Sequence, residues 1–331
     1  MATKNRQWLL ASRPRGAVEE SNFRLAETEL PALRDGEVLV RVHYLSLDPY
    51  MRGRMDDAKS YAASQALGEV MIGGTVGEVV ESRNPRWSQG DLAVGMGGWQ
   101  ELFVSDGKGL TKVSRGLPES VYLGAAGMPG ITAWYGLLQI GKPKPGETVV
   151  VSAASGAVGS VVGQLAKLHG CRAVGIAGGP AKCAHVVNDL RFDACADYKS
   201  ATFRETFKAA VPNGVDVLFE NVGGAVLEAS LARMNAFGRV ALCGLIAGYG
   251  GEDIALRNVR SILVNRLLVQ GFIVSEHLEL WPQAMKELFV AIAEGKIKYR
   301  ETIAQGIESA PRAFIGLLRG ENLGKQLVKM A

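Results

Sequence analysis

The sequence predicts an α/β protein of two domains. One is a doubly wound parallel sheet over residues 126–296; the other is a small, strongly curved β-rich domain over 1–125, completed by 297–331. Three observations carry this. From about residue 126, helical stretches alternate with short apolar strands, the pattern of βαβ units. Before that point, glycine-interrupted strands are separated by turn chemistry. At 331 residues the chain exceeds one ordinary domain and suits two, each with a sizeable core.

In chain order, Glu37-Val-Leu-Val-Arg-Val-His-Tyr44 reads as a strand with partial alternation, entered through the turn Leu33-Arg-Asp-Gly36. Residues 70–80 read as a second strand bent by glycines, and Trp87-Ser-Gln-Gly-Asp91 turns into a strand at 92–95. The parallel sheet is expected from strands at 148–152, 172–177, 193–197, 215–220, 238–244 and 267–273. Helices are expected at 158–169, 181–190, 202–210 and 224–234. A strand at 297–303, a helix at 309–319 and a strand at 325–329 then return to the first domain, with a cleft expected between the two.

The most informative segment lies within 147–179. The apolar run Thr148-Val-Val-Val151 leads into Ala153-x-x-Gly156-x-x-Gly159 and then a helix. Small residues let backbone N–H groups approach a pyrophosphate, whose charge the helix N-terminus favours. Ala153 stands where the usual pattern has its first glycine. After the second strand an NAD enzyme would carry an acid for the ribose hydroxyls; this chain has Ala177-Gly-Gly-Pro-Ala-Lys182. A carboxylate there would repel a 2′-phosphate, whereas glycine amides and Lys182 can hold one, so the cofactor read from the residues is NADPH. Tyr198, just after the third strand, is a further contact for that phosphate or the adenine.

Composition excludes several classes. Apolar content of 47% and charged content of 21% are those of a soluble globular chain, and the net charge of +4 comes with no Lys/Arg cluster of a nucleic-acid binder. No apolar run reaches the roughly 18 residues that span a bilayer, and the opening residues lack a signal-peptide core. The four cysteines form no Cys-x-x-Cys pair, so a cytoplasmic location is expected. No metal is expected: the first domain has no cysteine and one histidine, His43, and Cys171, Cys183 and Cys195 read as buried thiols. His43, His169, His185 and His277 have no acid or nucleophile at motif spacing. Hydride transfer remains, in which the cofactor does the difficult part. It directs attention to tyrosines able to donate to a developing oxyanion: Tyr50, in a turn after a strand, and Tyr249, at the C-terminal end of the fifth sheet strand.

Several longer motifs can be added: Tyr44-Leu-Ser-Leu-Asp-Pro-Tyr-Met-Arg-Gly-Arg-Met55, Gly127-Met-Pro-Gly-Ile-Thr-Ala133, Ala154-Ser-Gly-Ala-Val-Gly159, Glu220-Asn-Val-Gly-Gly224, Gln270-Gly-Phe-Ile-Val274 and Gly320-Glu-Asn-Leu-Gly324. With these the chain resembles, over essentially its whole length, the zinc-independent medium-chain dehydrogenases/reductases, in the subgroup of leukotriene, prostaglandin and curcumin reductases. The resemblance implies a GroES-like β-barrel-type catalytic domain, a Rossmann domain, NADPH, a homodimer, and reduction of the carbon–carbon double bond of small-molecule enones and enals. By position it implies that Gly156, Ala157, Val158 and Gly159 hold the pyrophosphate, with Lys182 and Tyr198 at the 2′-phosphate. Asn221, Cys243, Gly244, Leu245, Ile246, Tyr249, Phe272, Ile273, Val274 and Asn322 would line the rest of the cofactor. Met128, Pro129 and Thr132 would sit near the nicotinamide. Tyr50 and Tyr249 are the implied catalytic residues, and Tyr50, Arg52 and Tyr249 the implied substrate contacts. Where relatives carry a longer, proline-rich loop after this tyrosine, Gly250-Gly-Glu-Asp-Ile-Ala-Leu-Arg257 is short and without proline. The preferred substrate is therefore not inherited. Quinone reduction, reduction of a carrier-bound enoyl thioester, and an NADPH-binding module without catalysis stand as the alternatives.

Overall fold

The computed structural model describes residues 3–330. The chain divides into two compact units: one takes the residues up to Leu123, Glu301–Asn322 and those from Gln326 on, the other Gly124–Arg300 with Leu323–Lys325.

The first unit opens with strands β1 (Thr3–Leu10), β2 (Phe23–Leu30) and β3 (Val38–Ser46), the short helix α1 (Tyr50–Arg54), then β4 (Thr75–Ser82), β5 (Leu92–Gly95), β6 (Leu102–Ser105) and β7 (Thr111–Val113). β1 and β2 form an antiparallel hairpin of their own, with Thr3 opposite Leu30 and Leu10 opposite Phe23. In the second unit the chain runs α2 (Met128–Tyr135), β8 (Thr148–Ser152), α3 (Gly159–Leu168), β9 (Arg172–Ala177), α4 (Pro180–Asn188), β10 (Ala194–Asp197), α5 (Phe203–Ala210), β11 (Val215–Glu220), α6 (Gly224–Leu231), β12 (Met234–Leu242), α7 (Val259–Val264), β13 (Leu268–Gly271) and α8 (Trp281–Ala293). It then returns to the first unit as β14 (Glu301–Gln305), α9 (Ala310–Leu318) and β15 (Lys325–Lys329).

The main sheet of the first unit has the order β14-β15-β3-β4-β5-β7, with β6 also on β3. β3 is central because Val38, Leu39, Val40, Val42, Leu45 and Ser46 are all buried. Its register against β4 slips between Leu39 and Val40 and again between Val42 and Tyr44, the bulges expected of a strongly curved sheet. A β-carbon on Gly77 would collide with the Arg41 carbonyl, so a glycine is required where β4 crosses that bulge. The core is closed by Phe23 stacked on Trp99 at 5.2 Å, with Phe314 edge-on to Trp99 at 5.5 Å. Phe314 and Val328 come from the returning segment, which completes this core.

The second unit is a six-stranded sheet of order β10-β9-β8-β11-β12-β13, with every neighbouring pair parallel. Strands buried on both faces read as continuous apolar runs, and all five residues of β8 are buried. The strand order reverses between β8 and β11, and ligands of open α/β sheets bind outside the carboxyl ends at such a point.

The structure corrects several boundaries. Residues 70–74 are not strand; Val70 makes only an isolated bridge to Leu9, and a β-carbon on Gly73 would lie 2.8 Å from Leu45 Cδ1. Residues 297–300 lie outside β14. β12 begins at Met234, four residues before the expected start at 238, through a register shift against β11 between Val215 and Val217.

Candidate active site

The dinucleotide turn is built as the glycine pattern requires, with one exception. Ala153 holds φ +51°, in the left-handed region that glycine ordinarily fills. That placement costs a β-carbon residue about 1–2 kcal/mol, and the surrounding bonds hold it. The Gly156 N–H donates to the Ala153 carbonyl at 2.9 Å, and Ser160 N–H donates to Gly156 O at 3.0 Å. A β-carbon on Gly159 would collide with that same Ala153 carbonyl, so α3 can start there only on glycine. Gly156, Ala157 and Val158 are half-buried; the Ser160, Val161 and Val162 N–H groups already donate to Gly156 O or Val158 O at 3.0–3.1 Å, so it is the turn amides at 157–159 that face a ligand. A pyrophosphate fits that cradle. The turn is braced from downstream: Gly324 N–H donates to Ser155 O at 3.0 Å, and Gly156 bridges Gly324.

At the tip of β9, Tyr198 lies over Gly178, where a β-carbon would come within 2.8–3.0 Å of its ring and hydroxyl. Lys182, in the first turn of α4, is half-buried; burial lowers its pKa, and the charge of Lys199 lowers it further. Two ammonium groups that feel one another's charge, with Tyr198 over Gly178, suit a doubly charged phosphate. Lys199 is a member that the sequence reading missed, because only tertiary structure brings it toward Lys182. The glycine amides need a correction. The Gly179 N–H is already taken by Asp197 Oδ1 at 2.7 Å, which also accepts from Lys199 N–H at 2.9 Å. Asp197 therefore shapes this loop.

The tips of β8 and β11 are tied together. Asn221 N–H donates to Ser152 Oγ at 2.7 Å, and Asn221 Nδ2 donates to Ser152 O at 2.8 Å. Glu220 is fully buried; its Oε1 accepts from Val222 N–H and Gly223 N–H, both at 2.6 Å, and its Oε2 is buried with no hydrogen-bond partner. Burial pushes this carboxyl up to about 7, against the pull of the Gly223 and Val222 N–H groups. Segment 243–247 runs alongside: Cys243 and Gly244 N–H donate to Glu220 O at 2.8 and 3.2 Å, and Ile246 N–H donates to Asn221 O at 3.2 Å. Leu245 packs on Gly223, where a β-carbon would be 3.0 Å from Leu245 Cδ2. Tyr249 closes the short turn that follows. It is half-buried, and its hydroxyl lies 3.8 Å from where a β-carbon on Gly244 would be. This places the phenol beyond the C-terminal end of β12.

Other expected contacts have prior engagements. The Phe272 ring packs inward on Tyr135 and Phe219, with centroids 5.5 and 6.1 Å away, so Phe272 offers a ligand its backbone. Val274 is buried and its carbonyl accepts from Trp281 Nε1 at 3.1 Å, while Ile273 caps the turn before it. The Thr132 hydroxyl donates to Met128 O at 2.8 Å within α2, and Pro129 is buried at the start of that helix. Each histidine dismissed on spacing, other than His169, has a polar partner in space: His43 with Glu119 and His185 with Asp189 at 2.6 Å, and His277 with Tyr135 Oη at 2.8 Å. Among the described residues, no three or more His, Cys, Asp and Glu side chains group as a metal site.

Tyr50, Arg52 and Asn322 belong to the first unit. Tyr50 begins α1, and burial, then Asp48 and Tyr61, push its phenol well above the usual tyrosine range, so it keeps its proton. Tyr61 is thus a neighbour of Tyr50 that the sequence reading did not single out. Arg52 requires correction as a substrate contact: it is 3% exposed, its guanidinium donates to Asp56 Oδ1 at 2.6 Å and to Gly16 O at 3.0 Å, and it pins the turn. Asn322 lines a depression with Glu321, Arg312 and Gln326.

With this geometry in place, the likenesses can be read. Residues 6–113 match the family described as N-terminal domain of oxidoreductase, and 157–290 that described as zinc-binding dehydrogenase. The chain is 46% identical to the NADPH-dependent curcumin reductase of Escherichia coli (strain K12), over 99% of this chain and 97% of that protein. It is 43% identical to prostaglandin reductase 1 of Rattus norvegicus, over 97% and 98% respectively. The crystal structure of CurA in complex with NADPH from Vibrio vulnificus superposes with a TM-score of 0.94 at 45% identity, covering 98% of this chain and 99% of that one. The chain therefore belongs to the medium-chain dehydrogenase/reductase family, in the zinc-independent subgroup that holds the curcumin and prostaglandin reductases.

Proposed function

We propose that the protein is an NADPH-dependent reductase of the carbon–carbon double bond of α,β-unsaturated ketones and aldehydes. The observation that supports this reading is the second unit's own arrangement: a glycine turn at Gly156–Gly159 leading into α3, Lys182 in the first turn of α4 with Lys199 just after β10, and the Tyr249 phenol beyond the end of β12. Likeness of 43–46% to reductases so named, over nearly the full chain, supports it. The 124–300 unit is then the cofactor-binding domain, and the unit that carries Tyr50 the catalytic domain.

When bound, NADPH supplies the hydride for the β-carbon of the acceptor. The chain's residues do the rest. The α3 N-terminus and its glycine turn hold the pyrophosphate, and Lys182 and Lys199 select the phosphorylated ribose. As charge gathers on the carbonyl oxygen, the Tyr249 hydroxyl donates a hydrogen bond to it, and the α-carbon is then protonated. Tyr50, which holds its proton firmly, is proposed as a substrate contact in its own unit. An NADPH-oxidation assay across enones, quinones and enoyl thioesters tests the reading; turnover confined to quinones or thioesters would overturn it.

The cofactor preference has its own test. Lys182→Glu should weaken NADPH by about 10- to 100-fold, the range of a lost hydrogen bond to a charged group, and leave NADH nearly unchanged. Equal losses for the two nucleotides would remove Lys182 from the phosphate.

A homodimer is proposed through β13. This strand ends the sheet, all four of its residues are exposed, and Leu268 is 51% and the nearby Leu263 78% exposed. An exposed apolar edge strand is a template for pairing with a second copy. Val269→Lys should shift the protein from dimer to monomer in light scattering; an unchanged mass would exclude this edge. Among the described residues no helix is long and apolar enough to cross a membrane; a cytoplasmic location is proposed from the lack of any Cys-x-x-Cys pair or disulfide-type cysteine framework in the sequence.

A further inference from the structure

Two of the four cysteines, twelve positions apart in the sequence, meet in the fold. Cys183 lies on α4 and Cys195 on β10, and the Cys195 S–H donates to Cys183 Sγ at 3.0 Å. The space for this pair comes from Gly175, which faces Cys195 across the β9–β10 ladder; a β-carbon there would lie 3.4 Å from the Cys195 sulfur. Cys183 and Cys195 are both partly exposed residues. The other two are less suited. Cys171 is buried and bonded to Lys144 O at 3.3 Å, and burial pushes the Cys243 thiol up to about 12.

We propose that Cys183 and Cys195 form a modification site: a dithiol that a hydroperoxide closes reversibly to an intramolecular disulfide. The shared proton sets the order of events. The bond from Cys195 lowers the pKa of Cys183, while the same contact and burial raise that of Cys195. Cys183 is therefore the thiolate that attacks. Its sulfur displaces an alkoxide from the O–O bond, giving a sulfenic acid and, after protonation, an alcohol. The Cys195 sulfur then attacks the sulfenic sulfur, and its proton leaves with the hydroxyl as water. Two thiols lose two electrons and two protons, and the hydroperoxide is reduced to alcohol and water.

The site has a consequence that rests on the functional reading above. Cys183 directly follows Lys182, and Cys195 precedes by two residues the Asp197 that holds the Gly179 and Lys199 N–H groups. Drawing the two sulfurs to bonding distance pulls the first turn of α4 toward β10 and displaces Lys182 relative to Lys199. The oxidised protein should therefore bind NADPH several-fold more weakly, with NADH much less affected.

The test uses the full chain, reduced and then exposed to tert-butyl hydroperoxide. Trypsin cleaves after Lys182, Arg191 and Lys199, so the cysteines fall in separate peptides, 183–191 and 192–199. The expected product is the linked pair, lighter by two hydrogens than its parts, cleaved by dithiothreitol and absent from Cys195→Ala. Unlinked peptides, or Cys183 carried to the sulfinic acid beside a free Cys195 thiol, would overturn the proposal. Nucleotide affinity is then measured on reduced and oxidised protein. Equal NADPH affinity in both overturns the link to Lys182. A reduced protein that binds no NADPH counts against the functional reading alone, since the peptide map still decides the disulfide.

Discussion

Replacing Tyr249 by phenylalanine is expected to lower kcat for a conjugated enone by about 10²–10³, the effect of removing one preorganised donor to an oxyanion, or about 3–4 kcal/mol. NADPH affinity should stay near the parent value. The split follows from where the hydroxyl sits. The backbone of 243–246 is fixed by bonds to Glu220 and Asn221 that a phenyl ring at 249 leaves intact, so the cofactor's surroundings persist. What disappears is a donor to the charge that develops on the carbonyl oxygen. Such a change lowers kcat and kcat/KM together and leaves nucleotide binding alone. Steady-state NADPH oxidation and a fluorescence titration read the two quantities separately. Parent-like turnover would take Tyr249 out of the mechanism; a large loss of NADPH affinity would make it a structural residue.

The second large effect concerns stability. Glu220 carries a carboxyl whose ordinary pKa of 4.5 is raised by burial to about 7. A raised carboxyl favours the folded state while protonated. That advantage is complete below pH 4.5 and is lost as pH climbs to about 7, because the unfolded chain ionises first. The difference amounts to on the order of 3 kcal/mol. Glu220→Gln keeps an oxygen to accept the Val222 and Gly223 N–H groups and cannot ionise. It should therefore match the parent near pH 4 and exceed it by about that amount near pH 8. Urea denaturation at the two pH values checks this. An unchanged pH dependence in the variant would mean that Glu220 is not the titrating group.

Both predictions concern positions that differ in how readable they are. Tyr249 could be picked out in the sequence because a tyrosine after an apolar strand falls at a predictable sheet edge. Glu220 could not, since its chemistry arises from complete burial. The parallel sheet was legible for a related reason: strands such as Val149-Val150-Val151, buried on both faces, leave an uninterrupted apolar record. The β1–β2 hairpin left none, because most of β2 is exposed or half-exposed. Lys199, Tyr61 and the Cys183–Cys195 contact escaped because each depends on a partner brought by tertiary structure. Arg52 was misread for the converse reason. An arginine in a recognised motif looks available until its donors are found facing Asp56 and Gly16.

The placement of β15 between β14 and β3 also bears on how the molecule is made. As the polypeptide emerges from the ribosome, β3 can pair with β4 and β6 early but must wait through the synthesis of residues 124–300 before β15 exists. The later-encoded sheet, nearly contiguous in sequence, can close while the earlier one is still open, reversing the usual N-terminal-first order. During that interval Val40, Leu45 and Trp99 lack the cover of Phe314 and Val328. Nascent chains stalled before residue 310 should therefore recruit chaperones at the N-terminal strands.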